Sequence, residues 1–233
     1  MMFRSNSFNI NHPSLSGSLS RSKSVPDMGL ASFDIRMFIR SKEVSAAEAR
    51  NAADLILTKT MKDSEWPCDM KAELLDDEQK RWNDRYHNAY GIFRTIDINF
   101  TYFDDFGKEA KFFVIYYKNV PIGISMCTPK MDHVPSLLEL DYFGLHCGMR
   151  NCGYLFMEYM VNKSHELGLN GRLKISPIKG TERFYINMGF APFNTVLDNA
   201  EAKPSKSDNL LYLNPSENSK WHIINGKYKY IGC

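Results

Sequence analysis

The sequence lacks several features that would each indicate a particular class of protein. No apolar run approaches the roughly 18 residues that a transmembrane helix needs. The five cysteines form no CxxC pair, which argues against a zinc site and against a disulfide framework. The net charge of +2 is too small to indicate a nucleic-acid-binding surface. We therefore expect free thiols, no metal site and a reducing, cytoplasmic environment.

The first 30 residues differ in composition from the rest of the chain. Serine recurs at positions 5, 7, 14, 16, 18, 20, 22 and 24, and no acidic residue precedes Asp27. This composition predicts disorder over residues 1–30, and it lacks the continuous apolar core of a secretory signal peptide. Three interpretations stay open: an organelle transit peptide, an export signal like those of bacterial type III secreted effectors, or a tail with no targeting function.

The remainder has the composition of a soluble globular protein, with 43% hydrophobic and 24% charged residues in a chain of 233. We predict one folded domain over residues 31–197. Residues 198–233 are expected to add a strand and a hairpin that extend its sheet. The hairpin prediction covers Trp221 to Ile231, because Asn225-Gly226 is a type I′ turn signal.

Helix and strand signals precede the central part of the chain. Ser45-Ala-Ala-Glu48 is a capping box that predicts a helix over residues 46–60. Periodic apolar residues predict a second helix over 70–90. A first strand is expected over 33–39, and a hairpin over 112–127.

The stretch from Leu138 to Met157 organises the chain. Alternation of Leu138, Leu140 and Tyr142 with polar residues predicts a strand. After Gly153 the apolar spacing becomes helical. A helix that starts directly after a strand leaves backbone N–H groups available to a phosphate, and Arg150 adds a positive charge there.

The same stretch resembles motif A of the GNAT family, the GCN5-related N-acetyltransferases. Arg150 stands at the Arg/Gln position of that motif and Gly153 at its first glycine. A second block, Ile175 to Phe190, resembles motif B, which closes with Phe-Tyr-x-x-x-Gly-Phe. The resemblance implies a single α/β domain whose mixed, partly splayed central sheet is flanked by helices.

Three residues depart from the family pattern. Leu155 stands where the last glycine or alanine of motif A is usual, Cys147 where proline is common, and Ile178 in place of a frequent asparagine. A bulky side chain at position 155 could crowd a pyrophosphate or simply point into the core. The alternative interpretation is therefore a catalytically silent GNAT-like module that acts as a protein-interaction or secreted effector protein.

The resemblance implies that acetyl-CoA is the co-substrate. Backbone groups of Leu145 and Cys147 would bind the pantetheine arm, and Arg150 through Leu155 would surround the pyrophosphate. We interpret His146 as a surface or structural histidine beside this loop, and either Cys147 or Cys152 as a weak candidate nucleophile. The full set of expected cofactor-binding residues is Leu145, His146, Cys147, Arg150, Asn151, Cys152, Gly153, Tyr154 and Leu155.

Direct transfer to a primary amine requires that amine to be neutral. A lysine at pH 7 is neutral only about once in 2,500, at a cost of about 4.6 kcal/mol. Glu139 is the candidate general base, with Asp141 on the same strand face as its rival, and Tyr185 is the candidate general acid. The alternatives are that Glu139 pairs with a lysine or faces solvent, and that Tyr185 is a core tyrosine.

The acceptor is the least determined part of the prediction. A protein lysine or N-terminus is favoured, followed by a small amine and then aminoacyl-tRNA. The resemblance makes Trp82, Tyr86 and Tyr90 candidate acceptor contacts, whereas their helical spacing also fits an aromatic core stripe.

Overall fold

A computed structural model describes residues 37–62, 75–98, 109–132, 134–149, 152–193 and 209–232. The segment 1–30, together with Arg150 and Asn151 of the predicted cofactor loop, lies outside the described residues. Among the helices of the described ranges, none is long and apolar enough to cross a membrane.

The elements follow one another in a mixed α/β order. They are β1 (Ile39–Val44), α1 (Ala46–Leu55) with a π-helical turn (Ile56–Thr60), α2 (Asp77–Ile98), β2 (Lys111–Tyr117), β3 (Val120–Lys130), β4 (Leu137–Leu145), α3 (Gly153–Glu166), β5 (Leu173–Ile175), α4 (Glu182–Asn187), β6 (Ala191–Pro192), β7 (Leu211–Leu213), a 3₁₀ turn (Pro215–Glu217), β8 (Trp221–Ile224) and β9 (Lys227–Tyr230).

Seven strands form one mixed sheet in the order β1-β2-β3-β4-β5-β7-β6. β1 pairs with β2 antiparallel, β4 with β5 parallel, and β7 with both β5 and β6 antiparallel. The ladder between β4 and β5 covers Leu138 to Leu140, whereas β4 itself continues to Leu145. The predicted mixed sheet flanked by helices is confirmed, and the short ladder is in keeping with the predicted splay.

The chain divides into two compact units. The first unit comprises Met1–Ser125 and Tyr142–Cys152, and the second comprises Met126–Asp141 and Gly153–Cys233. Because the unit boundaries fall within β3 and β4, both strands contribute residues to each unit.

The first unit is built on α1 and α2. The predicted capping box is present, since Ser45 Oγ accepts from the Glu48 N–H and the Glu48 carboxylate accepts from the Ser45 N–H. The buried face of α1 consists of alanines, Ala49, Ala52 and Ala53, whose small side chains let the helix pack closely against α2 and β2. α2 runs to Ile98, beyond the predicted end near residue 90, because its apolar spacing continues through Phe93 and Ile96, both buried. The first strand is β1 over Ile39–Val44, so the bounds predicted for it, 33–39, are wrong except at Ile39; Met37 and Phe38 are not in a strand, and positions 33–36 lie outside the described residues.

The second unit is organised around α3. The predicted apolar stripe is confirmed, because Phe156, Met157, Met160 and Val161 are all buried. Gly168 adopts a φ of +78° just after the helix, the left-handed conformation that glycine favours at a helix C-terminus. This helix contacts both β5 and β9, so it connects the sheet to the C-terminal hairpin within this unit.

The C-terminal hairpin forms as predicted but does not extend the main sheet. Asn225 and Gly226 have φ values of 52° and 73°, as a type I′ turn requires, and β8 and β9 form a separate two-stranded sheet. The physical reason is that side chains of α3 bind the backbone of β9. The Asn162 amide donates to the Tyr228 carbonyl at 2.9 Å and accepts from the Tyr228 N–H at 2.8 Å. The prediction that the hairpin extends the sheet is therefore wrong.

Gly189 ends α4 in a conformation that favours glycine. Its φ is +94°, and a Cβ atom at this position would collide with the side-chain amide of Asn218. That amide donates to the Gly189 carbonyl at 2.9 Å. The glycine of the motif Phe-Tyr-x-x-x-Gly-Phe is thus required both by its backbone conformation and by this close contact.

We expect Gly189→Ala to destabilise the fold more than Gly168→Ala. Both glycines have positive φ, but a Cβ at Gly168 would meet nothing within 4 Å. The Gly168 variant should lose about 1 kcal/mol from the backbone alone, and the Gly189 variant about 3 kcal/mol. Urea unfolding of both variants tests this. Equal losses would show that Asn218 moves aside without cost.

Candidate functional site

Glu139, the candidate base, is held by two lysines in the second unit. Its carboxylate lies 2.8 Å from Lys174 Nζ and 3.8 Å from Lys130 Nζ. The parallel register places Lys174 of β5 directly beside Glu139 of β4. The lysine-paired alternative is what the structure shows. Proton uptake by Glu139 would remove both ion pairs, so the observed pairing weighs against a role as base.

Asp141 lies two residues along the same strand in a different environment. Thr128 Oγ1 donates to its carboxylate at 2.7 Å. Burial, reinforced by the charge of Glu139, raises the pKa of Asp141, while the Thr128 hydrogen bond and the nearby lysines oppose that rise. A carboxylate whose pKa is raised accepts a proton at higher pH than an ordinary aspartate. Of the two carboxylates, Asp141 therefore has the environment that better suits a base.

Tyr185, the candidate acid, is buried on α4. Its ring makes edge contacts with Phe184 and Phe190, at centroid distances of 5.0 and 5.5 Å. Burial raises the pKa of Tyr185 far above its ordinary value, so the phenol stays protonated at all physiological pH values. Within the described residues its hydroxyl makes no hydrogen bond. A buried, protonated donor of this kind fits either a core tyrosine or a proton donor.

Motif A and motif B meet at the start of α3. A Cβ at Gly153 would lie 2.9 Å from the Phe184 ring, so only glycine lets that ring approach so closely. Tyr154 is half-buried, and its ring lies 6.4 Å from that of Tyr230. Leu155 is half-buried as well, in the first turn of the helix.

The predicted cofactor loop begins, in the first unit, with a tight turn after Leu145. The His146 N–H donates to the Ile122 carbonyl at 2.7 Å, and the His146 carbonyl accepts from the Met149 N–H at 2.9 Å. The His146 N–H therefore has its partner within the protein, while its carbonyl oxygen keeps a second lone pair.

The two cysteines of this loop are poor nucleophiles. Both are buried free thiols. Burial raises the pKa of Cys147 to about 12 and that of Cys152 to about 11. Both therefore stay protonated near neutral pH, which disfavours the nucleophile interpretation. Cys68 and Cys233 lie outside the described residues.

His146 is a structural histidine, and it is buried, not on the surface. Its Nε2 lies 3.2 Å from the Thr60 carbonyl, and its Nδ1 accepts from the Gly148 N–H at 3.1 Å. These partners define the neutral tautomer with the proton on Nε2. Burial lowers the pKa of His146 to about 4. The imidazole thereby links the π-helical turn to the end of β4.

The three aromatic residues proposed as acceptor contacts differ in exposure. Trp82 is buried, with the Arg85 guanidinium 5.2 Å from its ring centroid. Tyr86 and Tyr90 are half-buried and stack at 5.9 Å. The core-stripe interpretation fits Trp82, while Tyr86 and Tyr90 stay candidates for an acceptor contact.

The sequence reasoning did not identify Lys130, Lys174 or Thr128, which surround the two carboxylates. Lys174 could have been found, because it is the polar residue in the apolar strand Leu173–Ile175. Thr128 and Lys130 lie near the end of β3, a strand whose continuous burial gives no alternation that would mark them. Among the described residues, no group of three His, Cys, Asp or Glu side chains could hold a metal ion.

Comparisons with known proteins found structural likeness only. No family model matches, and no curated protein matches. The chain is similar to the PaiA N-acetyltransferase of Thermoplasma acidophilum solved with coenzyme A (TM-score 0.42, 11% identity, 75% of this chain and 97% of that one). It is also similar to the N-acetyltransferase PseH of Campylobacter jejuni (TM-score 0.39, 15%, 76% and 97%) and to the N-acyl amino acid synthase FeeM from uncultured soil microbes (TM-score 0.41, 15%, 75% and 89%).

The burial of His146 predicts a specific pH dependence of stability. The unfolded imidazole binds a proton near pH 6.5 and the folded one near pH 4, so stability falls as pH falls between these values. Between pH 7 and 4.5 this group should cost about 2 kcal/mol of unfolding free energy. His146→Gln should flatten that part of the pH profile, whereas His222→Gln, which alters an exposed imidazole, should not. Urea unfolding across this range measures the effect, and three parallel profiles would contradict it.

Proposed function

We propose that this chain is a GNAT-family N-acetyltransferase that moves an acetyl group from acetyl-CoA directly to a primary amine. One observation carries the proposal more than any other. The two sequence blocks that resemble family motifs meet within one unit, where the Phe184 ring packs on Gly153 at the start of α3. The tyrosine of motif B follows that phenylalanine and is buried and protonated.

We propose the helix start, together with the residues of the predicted cofactor loop, as the residues that bind a coenzyme A ester. α3 is long enough for its first N–H groups and its dipole to favour a diphosphate. The glycine at its first position keeps side-chain bulk away from those groups. Arg150 would add a charge-assisted hydrogen bond to the diphosphate, and Leu145 and Cys147 would bind the pantetheine arm through backbone atoms. We propose that the remaining residues of the loop and helix start also surround the diphosphate. These are Asn151, Cys152, Tyr154 and Leu155.

In this mechanism the amine nitrogen attacks the thioester carbonyl, the carbon–sulfur bond breaks, and the thiolate of coenzyme A leaves. Tyr185 Oη gives its proton to that thiolate. Its raised pKa keeps the proton in place until the sulfur becomes negative, although it also makes complete transfer harder. A carboxylate of β4 takes the proton of the amine. Glu139 is the sequence-based candidate, and the raised pKa of Asp141 makes Asp141 the stronger one.

We propose a protein amine, lysine or N-terminus, as the first acceptor class to test. Two exposed acidic residues in the first turn of α2, Asp77 and Glu78, suit a cationic acceptor. The half-buried Tyr86 and Tyr90 on the same helix offer aromatic faces, which attract ammonium groups. Comparing the acetylated peptides of cells with and without this protein would identify the acceptor.

The alternative is a silent module that binds a partner without transferring an acetyl group. Leu155, half-buried in the first turn of α3, is the residue that favours it, because the family pattern has glycine or alanine there. Isothermal titration with acetyl-CoA separates the two functions. No binding below millimolar concentration would favour the silent module, and Leu155→Ala would then be expected to create binding.

Tyr185→Phe should lower the rate of acetyl transfer by about 100-fold, because a general acid contributes roughly that much, and should leave the affinity for acetyl-CoA unchanged. Tyr212→Phe is the matched control, since Tyr212 is also a buried tyrosine of the second unit. Steady-state kinetics and titration calorimetry measure the two quantities. Full activity of Tyr185→Phe would remove Tyr185 from the mechanism.

Replacing each carboxylate by its amide distinguishes the two candidate bases. Asp141→Asn should lower kcat/KM by about 100-fold, whereas Glu139→Gln should change it by less than about tenfold. A base works only when deprotonated, so the wild-type rate should fall as pH drops through the raised pKa of Asp141. The acid limb of the pH–rate profile should disappear in Asp141→Asn. The opposite ranking of the two variants would return the role to Glu139.

A further inference from the structure

The helix that carries Tyr185, α4, is too short to be stable without contacts to the rest of the protein. α4 has only six residues, Glu182–Asn187. Helices this short are not stable in isolation, so α4 depends on contacts with the rest of the protein. Within the helix only Tyr185 is buried, while Phe184 and Ile186 are exposed. Little apolar surface therefore anchors it.

Side chains from residues 218–230 satisfy the backbone at the end of this helix. The last carbonyls of a helix have no partner within it and need donors from elsewhere. Here the carbonyl of the last residue of α4 and those of the two residues that follow it receive four side-chain donors. Lys220 Nζ and Tyr230 Oη donate to Asn187 at 2.6 and 2.9 Å, Trp221 Nε1 to Met188 at 2.8 Å, and Asn218 Nδ2 to Gly189 at 2.9 Å. The positive charge of Lys220 also suits the negative end of the helix dipole.

The hairpin that supplies two of these donors, Trp221 and Tyr230, is itself fixed to α3. Asn162 forms two hydrogen bonds with the backbone of Tyr228, as an adjacent strand would. One turn earlier, the buried Glu158 carboxylate accepts from the Tyr230 N–H at 3.0 Å and pairs with Lys229 at 3.1 Å. The hairpin is thus held against the helix by side chains at i and i+4 of one helix face.

These contacts form a closed circuit within the second unit. The Phe184 ring of α4 packs on Gly153 at the start of α3. The end of α4 is bound by the hairpin, and the hairpin returns to α3 through Glu158 and Asn162. Tyr185 follows Phe184 on α4, so it is carried by the element that these contacts hold.

We propose that Asn218, Lys220, Trp221 and Tyr230 are positioning residues that hold α4, and through it Tyr185, in place for proton transfer. This inference rests on the proposed function for its catalytic part. Its structural part stands on the hydrogen bonds to the end of α4. The C-terminal hairpin is accordingly a working part of the site and not an accessory to the sheet.

Single-group deletions in the full chain test the proposal. Trp221→Phe removes the indole N–H that donates to Met188, and Tyr230→Phe removes the hydroxyl that donates to Asn187. Tyr228→Phe is the matched control, because it deletes a hydroxyl from the same hairpin without touching α4. Lys220→Arg keeps a donor and a charge, whereas Lys220→Met removes both.

Hydrogen exchange of the peptide that covers α4 reports the position of the helix without an activity assay. Trp221→Phe, Tyr230→Phe and Lys220→Met should each speed exchange there by about tenfold, roughly the effect of one lost hydrogen bond on local opening. Exchange in the first turns of α3 should not change. Tyr228→Phe and Lys220→Arg should match the wild type. Unchanged exchange at α4 in the three deletion variants would overturn the proposal.

Kinetics test the catalytic part separately. The deletion variants should lose about tenfold in kcat with KM for acetyl-CoA within about twofold, because only the proton donor is displaced. A merely structural role would move KM and thermal stability together with kcat, and that result would overturn the proposal. If exchange at α4 accelerates but Tyr185→Phe keeps full activity, the role of the hydrogen bonds in holding α4 is supported and the assignment of Tyr185 as general acid is wrong. Wild-type protein that transfers no acetyl group would overturn the proposed function, while exchange still decides the anchoring contacts.

Discussion

Backbone groups that a helix end or a strand edge leaves unpaired must find partners elsewhere, and in the second unit side chains supply those partners. The end of α4 presents three carbonyls, and β9 presents an edge that would otherwise face solvent. Side chains such as Trp221 donate to the carbonyls at the end of α4. Side chains on one face of α3, such as Asn162, pair with the backbone of β9. The hairpin therefore depends on α3, and the end of α4 depends on the hairpin and the residues just before it.

Charge is arranged on β4 by the same principle. Two carboxylates two residues apart on one strand face would repel each other if both were left unpaired. Lysines compensate Glu139, and a neutral hydroxyl binds Asp141. The two carboxylates therefore differ: Glu139 stays within an ion-pair network, whereas the pKa of Asp141 is raised. A reaction that needs a proton acceptor at this strand would use Asp141.

Local signals in the sequence predicted local structure well. The capping box at Ser45, the type I′ turn at Asn225 and the strand-to-helix change before Gly153 each depend on neighbouring residues alone, and each appears as expected. Placement of the hairpin could not be predicted, because it depends on Asn162 reaching a strand far along the chain. Pairing of Glu139 with a lysine was one of the alternatives, but its partner Lys174 could not be identified, because that contact requires the register between β4 and β5. The catalytic assignments come from the motif resemblance and stay predictions.

The distance along the chain between these partners has a consequence for how the protein folds. The bonds from Asn162 to β9 join residues 66 positions apart, and that from Tyr230 to Asn187 joins residues 43 apart. Contacts between remote parts of a chain form slowly, because the entropy of the intervening loop must be lost before any bond is gained. The capping box at Ser45 and the type I′ turn at Asn225, which depend on neighbouring residues alone, should therefore form before these contacts. Tyr185 would reach its final place among the last events of folding.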